Sequence, residues 1–204
     1  MVTADISETS LNAFRMGLSR FVSFNEIEWA ALVPYLKSAR FKKKDHFTVQ
    51  GEVCEYIGFI ITGSVRYYHV KDGLEITGYF SFEHDFVSSY KSYVTQEPAA
   101  GYIQALEQTE LILISHKNML LVLAHPLLAY KMERFGRLVA EYYICCYEDR
   151  IASFITQTPE ECYVQMLEKQ GDIMLRVPQH YVANFLGITP VSLSRIRKRT
   201  LLNC

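Results

Sequence analysis

Apolar positions change their spacing along the chain, and each change marks a different kind of element. From Glu26 to Leu36, Ile27, Ala30, Ala31, Val33, Pro34 and Leu36 mix with charge. Ser23 and Glu26 stand at capping-box spacing, so a short N-terminal helical segment is predicted. Between about Phe41 and Ser115, β-branched and aromatic residues come in short runs, separated by Gln50-Gly51-Glu52, Thr62-Gly63-Ser64 and Lys71-Asp72-Gly73. Short strands joined by tight turns predict an antiparallel sandwich or roll. Tyr56–Ile61 and Ser64–Val70 flank Gly63, which can take the positive φ of a turn, and Lys71-Asp72-Gly73 closes the next hairpin.

After Pro126 the period becomes helical. Met132, Phe135, Val139, Tyr142 and Cys146 follow one another at alternating steps of three and four, the spacing of a coiled-coil seam. Two such seams would pair about a two-fold axis, which predicts a homodimer. The alternative is that the stripe covers the chain's own β region. Near Thr156–Glu161 the helix breaks, Thr158 can cap, and Pro159 can start the next helix. The chain thus divides into a β region (1–125), a dimerisation helix (126–155) and a small C-terminal unit (156–204).

The most specific pattern lies in that last unit, from Val177 to Arg199. Ala183 is small enough to let a second helix approach, and Gly187, four residues on, permits a sharp turn. Val182, Leu186, Ile188, Leu193 and Ile196 fall on the inward side, while Thr189 and Pro190 stand as N-cap and first residue of the second helix. Its outward side carries Ser192, Ser194, Arg195, Arg197, Lys198 and Arg199, and no acidic residue follows Asp172. This is the pattern of a helix-turn-helix that lays its second helix in the major groove of double-stranded DNA. An arginine near the middle of that helix can bond guanine O6 and N7 together, which makes Arg195 the expected base reader. A solvated basic face is the plainer alternative, but spacing, apolar register and cap agree independently on the motif.

Composition narrows the rest. The 204 residues are half apolar and carry a formal net charge of −1, so the basic signal is local and a cytoplasmic globular protein is expected, with no membrane partner. The five cysteines form no CxxC pair, and the histidines show no clustered ligand spacing, so no metal, no cofactor and no enzyme activity are expected.

With these residues in place, the chain resembles the Crp/Fnr family of transcription regulators. The likeness rests on Gln50-Gly51-Glu52, on Gly58–Val65 with its turn at Gly63, and above all on Val182–Lys198. The resemblance implies an α+β chain: an N-terminal antiparallel β roll of the jelly-roll, cyclic-nucleotide-binding type, a long dimerisation helix, and a C-terminal winged-helix-like helix-turn-helix domain. It implies a homodimer on a pseudo-palindromic site, with RNA polymerase a further candidate partner. By position Gln179, His180 and Ser192 match phosphate contacts and Arg195 the base-reading arginine. Thr189, Pro190, Ser194, Lys198 and Arg199 complete the expected DNA surface.

Two departures stand out. Pro190-Val191 replaces the charged pair that opens the recognition helix in the best-known members. Where cyclic-nucleotide binders carry a Gly-Glu pair and then Arg-Ser/Thr-Ala for the phosphate, this chain has Asp85–Tyr90 and Pro98–Tyr102. A desolvated phosphate without that arginine is left unpaired, at a cost of several kcal/mol, so cyclic AMP is not expected to bind. An unknown small-molecule effector would be met by Ser88, Ser89, Tyr90 and Tyr102 with Arg134 and Arg137. The alternatives are a purely structural roll and, for the whole chain, a small-molecule-binding module whose helix-turn-helix does not bind DNA.

Overall fold

The computed structural model of the chain describes residues 2–174 and 176–202, with side chains described for 5–168 and 176–200. A short strand β1 (Val2–Ala4) leads to α1 (Glu8–Ser19), capped by Ser7, and α2 (Glu26–Leu32), capped by Asn25. The capping box of α2 is Asn25 with Glu28, not Ser23 with Glu26: the Asn25 side chain accepts the Glu28 N–H and the Glu28 carboxylate accepts that of Asn25. Glu26 turns instead to Arg15. Pro34 has no N–H to continue the helix, so α2 stops at Leu32, a single 3-10 turn follows, and Leu36, expected in the helix, opens β2 (Leu36–Phe41).

The β region then runs through β3 (His46–Thr48), β4 (Tyr56–Thr62), β5 (Val65–Lys71), β6 (Leu74–Ser81) and β7 (Phe86–Val87), α3 (Tyr90–Thr95), β8 (Tyr102–Ala105) and β9 (Thr109–Ser115). All pairs are antiparallel, in two sheets ordered β1-β2-β9-β4-β7 and β3-β8-β5-β6. Gly63, at φ 96°, therefore joins two sheets rather than two strands of one hairpin, while Asp72 and Gly73, both at positive φ, close the β5–β6 hairpin. The apolar run Leu111–Ile114 is explained by its position in β9. Leu111 and Leu113 face Phe41, Ile60, Val65 and Ile103 between the sheets, while Ile112 and Ile114 face the helices with Phe14, Leu18, Leu32 and Phe59. A strand buried on both faces reads as continuous rather than alternating.

After α4 (His116–Leu123), α5 (Ala129–Thr156) crosses the helical side of the roll. Its buried face holds Met132 and Phe135, with Val139 packed beside them, and Phe135 meets Phe21 and Phe86. These residues, assigned from their spacing to a partner helix, lie in the chain's own core. Tyr142 packs edge-on against Phe21, and Cys146 sits on the same side of the helix. A second stripe, Ile144, Tyr147, Ile151 and Phe154 with Ile155, lies on the opposite side and is exposed from 57 % at Ile144 to 78 % at Phe154. The spacing of two apolar stripes on one helix is the same, and only the roll decides which one it covers. No helix among the described residues is long and apolar enough to cross a membrane.

The C-terminal unit comprises α6 (Pro159–Met174), α7 (Gln179–Phe185) and α8 (Pro190–Leu202). Thr158 caps α6 through a reciprocal pair with Glu161. Among its described residues the unit holds helices only.

Candidate nucleic-acid interface and its mounting on the roll

The turn between α7 and α8 is built as its residues dictate. Gly187 sits at φ 68°, the Ile188 N–H donates to the Ala183 carbonyl, and fully buried Ala183 leaves α8 room to approach. Val182, Leu193 and Ile196 close the core with Tyr163 and Val177, and Leu186 and Ile188 pack against it. Thr189 Oγ1 accepts the Ser192 N–H at 3.1 Å, capping α8, and lies 3.0 Å from the Ser192 hydroxyl. Ser192 is thus engaged in the cap.

The outer face of α8 carries Val191, Ser194, Arg195 and Lys198, all exposed, with Thr189 and Pro190 exposed at its start. A helix repeating every 3.6 residues sets positions 191, 195 and 198 in one line. Neither Arg195 nor Lys198 is paired with a carboxylate among the described residues. Arg199, in contrast, makes a two-pronged contact with Glu160 at the start of α6. That contact holds the Glu160 carboxyl below its usual range and the Arg199 guanidinium above its own. The line of free cationic side chains is therefore Arg195 and Lys198, flanked by an Arg199 already bound. At the start of α7, His180 is exposed and lies against the Tyr181 ring, while Gln179 is half-buried with its Oε1 enclosed and unbonded.

The same α7 fixes the unit to the roll. β6 is the outer strand of its sheet, and its backbone would otherwise be unpaired there. Asn184 covers it: its amide oxygen accepts the Thr77 N–H and its amide nitrogen donates to the Glu75 carbonyl. Beside this contact lies Arg66, only 1 % exposed, bonded to Gln104 and Glu75 and sandwiched between the rings of Tyr68 and Tyr181, 4.1 and 3.8 Å from the guanidinium carbon. Phe80 meets Phe185, and Arg176 spans Glu83 and Glu107 at the roll's edge. The other sheet ends in β7, whose Phe86 backbone exchanges hydrogen bonds with the Tyr143 hydroxyl of α5. The outer strands β6 and β7 are thus closed by helices that follow in the chain. The contacts that α5 and α7 make with the roll are not visible in the sequence, because the partners lie 57 or more residues apart and carry no local pattern.

The residues expected to form an effector pocket are not gathered in one place. Ser88, at the start of α3, donates to the Tyr56 carbonyl at 3.0 Å, Ser89 is half-buried beside it, and Tyr90 is exposed. Tyr102 lies on the face of β8 that carries Gln104, opposite Ile103 and Ala105, and stacks on Tyr68 at 4.8 Å. That places it on the outside of the roll, toward Arg66 and α7. Arg134 and Arg137 project from exposed positions on α5, and Arg137 is bound to Glu141. Among the described residues no group of three His, Cys, Asp or Glu side chains could hold a metal ion.

Comparison with known proteins places the roll. Residues 38–125 match the family model of the cyclic nucleotide-binding domain. No curated protein sequence matches the chain. Among solved structures, FixK2 from Bradyrhizobium japonicum is 17 % identical with a TM-score of 0.66, over 82 % of this chain and 85 % of that one. A cyclic nucleotide-binding domain from Methylobacillus flagellatus is 16 % identical with a TM-score of 0.66, over 74 % of this chain and 87 % of its own. The c-di-GMP-responsive global regulator CLP of Xanthomonas campestris is 14 % identical with a TM-score of 0.65, over 85 % and 92 %. At these identities the likeness is one of fold, shared also with a putative transcriptional regulator of the Crp/Fnr family from Eubacterium rectale, 16 % identical with a TM-score of 0.65 over 88 % of this chain and 85 % of that one.

Proposed function

We propose that the protein is a homodimeric, sequence-specific DNA-binding transcription regulator. One observation carries the reading: α8 turns Arg195 and Lys198, without a carboxylate partner among the described residues, to the outside of a helix-turn-helix with a closed core. Arg195 reads a base and Lys198 neutralises a phosphate. His180 supplies a second phosphate contact from α7, and Gln179 does so through its amide nitrogen. Arg199 contributes only after exchanging Glu160 for DNA. The dimer forms through the outward stripe Ile144, Tyr147, Ile151 and Phe154, whose three-four-three steps suit a helix pair, and so sets two recognition helices about 34 Å apart on a pseudo-palindromic site. Resemblance in fold to FixK2 and CLP supports this reading. Cyclic AMP is not the effector, since the positions of its phosphate-binding arginine hold none.

Selection from a random DNA pool tests the function: a palindromic consensus supports it, and a flat profile favours a ligand-binding module without DNA readout. Arg195→Ala should cost about 1–3 kcal/mol and relax one base pair per half-site, whereas Lys198→Ala should weaken all sequences alike and reduce the salt slope by about one. Ile151→Glu should give a monomer by light scattering, and calorimetry with cyclic AMP should show no binding at micromolar concentration.

A further inference from the structure

Where the roll, α5 and the C-terminal unit meet, the packing leaves a cavity of about 280 Å³. Tyr79 and Phe80 of β6 form one wall, Tyr142 and Arg150 of α5 another, and Met166 of α6 with Phe185 of α7 close it. Tyr142 lies on the side of α5 away from the Ile144–Phe154 stripe, while Arg150 stands between that side and the stripe, one turn from Tyr147 and from Phe154, with its guanidinium turned to Phe185. Aromatic rings and Met166 make up one part of the lining, and Asp149, Arg150, Ser153 and Gln165 supply polar groups at its edge, the mixture found at small-molecule sites.

Arg150 is the unusual member of that lining. Its guanidinium lies 3.7 Å from the centre of the Phe185 ring, and its one hydrogen bond among the described residues is a long one, 3.5 Å, to the Phe185 carbonyl. No carboxylate pairs with it among the described residues, and Asp149, which also borders the cavity, is exposed. Burial lowers the pKa of this group, the direction expected of a cation short of compensation. Tyr79 is half-buried in the facing wall, where burial raises its phenol and keeps it a donor.

We infer that this cavity binds a small organic anion with an aromatic or apolar body, its acidic group on Arg150 and its body between Phe80, Met166 and Phe185. A guanidinium held over a ring keeps N–H groups to offer a carboxylate or sulfonate, and removal from water strengthens that bond. The site is separate from the Ser88–Tyr90 region of the roll, and the binding stands whether or not the protein reads DNA.

The test uses the full chain without DNA and two dyes of one shape, anionic 8-anilinonaphthalene-1-sulfonate and neutral N-phenyl-1-naphthylamine, each titrated by fluorescence. The sulfonate should saturate at one dye per chain and bind about tenfold or more tighter than the neutral dye. Arg150→Met should abolish that preference while the neutral dye still binds, and Arg150→Lys should keep part of it. Equal affinities for the two dyes, or a preference that survives Arg150→Met, would overturn the assignment.

Discussion

Between the two sheets of the roll, Phe41, Ile60, Val65, Ile103, Leu111 and Leu113 bury one another, and the roll draws on nothing downstream of α5 to complete its interior. In the C-terminal unit, Val182, Leu193 and Ile196 close only part of their core, and Phe80, Phe82 and Leu106 of the roll supply the remainder. Three helices present too little apolar area to stand firmly alone, as small domains generally do. The candidate nucleic-acid surface is therefore mounted on a support whose interior is closed without it, by contacts that include one asparagine, one buried arginine and an exposed ion-pair cluster.

The two turn glycines sharpen this difference most. At Gly63 a Cβ would come within 2.5 Å of the Thr109 hydroxyl and 2.7 Å of the Gln108 carbonyl, in addition to the strain of φ 96°. Gly63→Ala should therefore cost about 2–5 kcal/mol and lower the urea midpoint of the whole chain. Unfolding at the original midpoint would show that the roll is not the supporting element. Asn184→Ala comes next: it leaves the Thr77 N–H and Glu75 carbonyl of a strand edge without partners, at about 1–3 kcal/mol. Hydrogen exchange should then quicken at Thr77 and through α7 and α8 but not in β4 and β9. Uniform quickening would mean that the two units unfold together. At Gly187 a Cβ meets nothing within 4 Å, so Gly187→Ala should cost only the backbone strain of about 1–2 kcal/mol, felt in the C-terminal unit alone.

Local chemistry was legible in the sequence, and pairing over distance was not. The Thr189 cap, the Gly187 turn, the Thr158–Pro159 start of α6 and the Asp72-Gly73 hairpin each depend on residues within four positions, and all form as their types require. The outward face of α8 was readable for the same reason. The stripe Met132–Cys146 misled because a 3.6-residue period reports that a face is apolar and says nothing of what covers it. Ile144, Tyr147, Ile151 and Phe154 have the same spacing one face round. Tyr102 was grouped with Ser88 because both stand in the segments matched to the phosphate-binding cassette, yet the alternation of β8 turns it to the outside of the roll. Arg66, Asn184 and Arg150 drew no notice, since their roles arise only where units distant in sequence are brought together.

The smallest effect separates the units by pH. Burial alone would raise the Glu83 carboxyl, but the Arg176 side chain and the Gly63 N–H, which donates to it at 2.8 Å, outweigh burial and hold it below its usual value. A carboxyl lowered in the folded state favours folding at neutral pH, and that contribution disappears as pH falls from the unfolded value, about 4.3, through the folded one. Because Arg176 and Glu107 are both partly exposed, the gain is small, of the order found for surface pairs. Exchange protection in α7 and α8 should decline below about pH 4.5 before that of β4 and β9 does. Arg176→Met, which leaves Glu83 only its backbone donors, should have lower protection at pH 7 and a shallower decline. An equally steep decline in that variant would place the acid-sensitive contact elsewhere in the junction, with Glu75 beside Arg66 as the next group to replace.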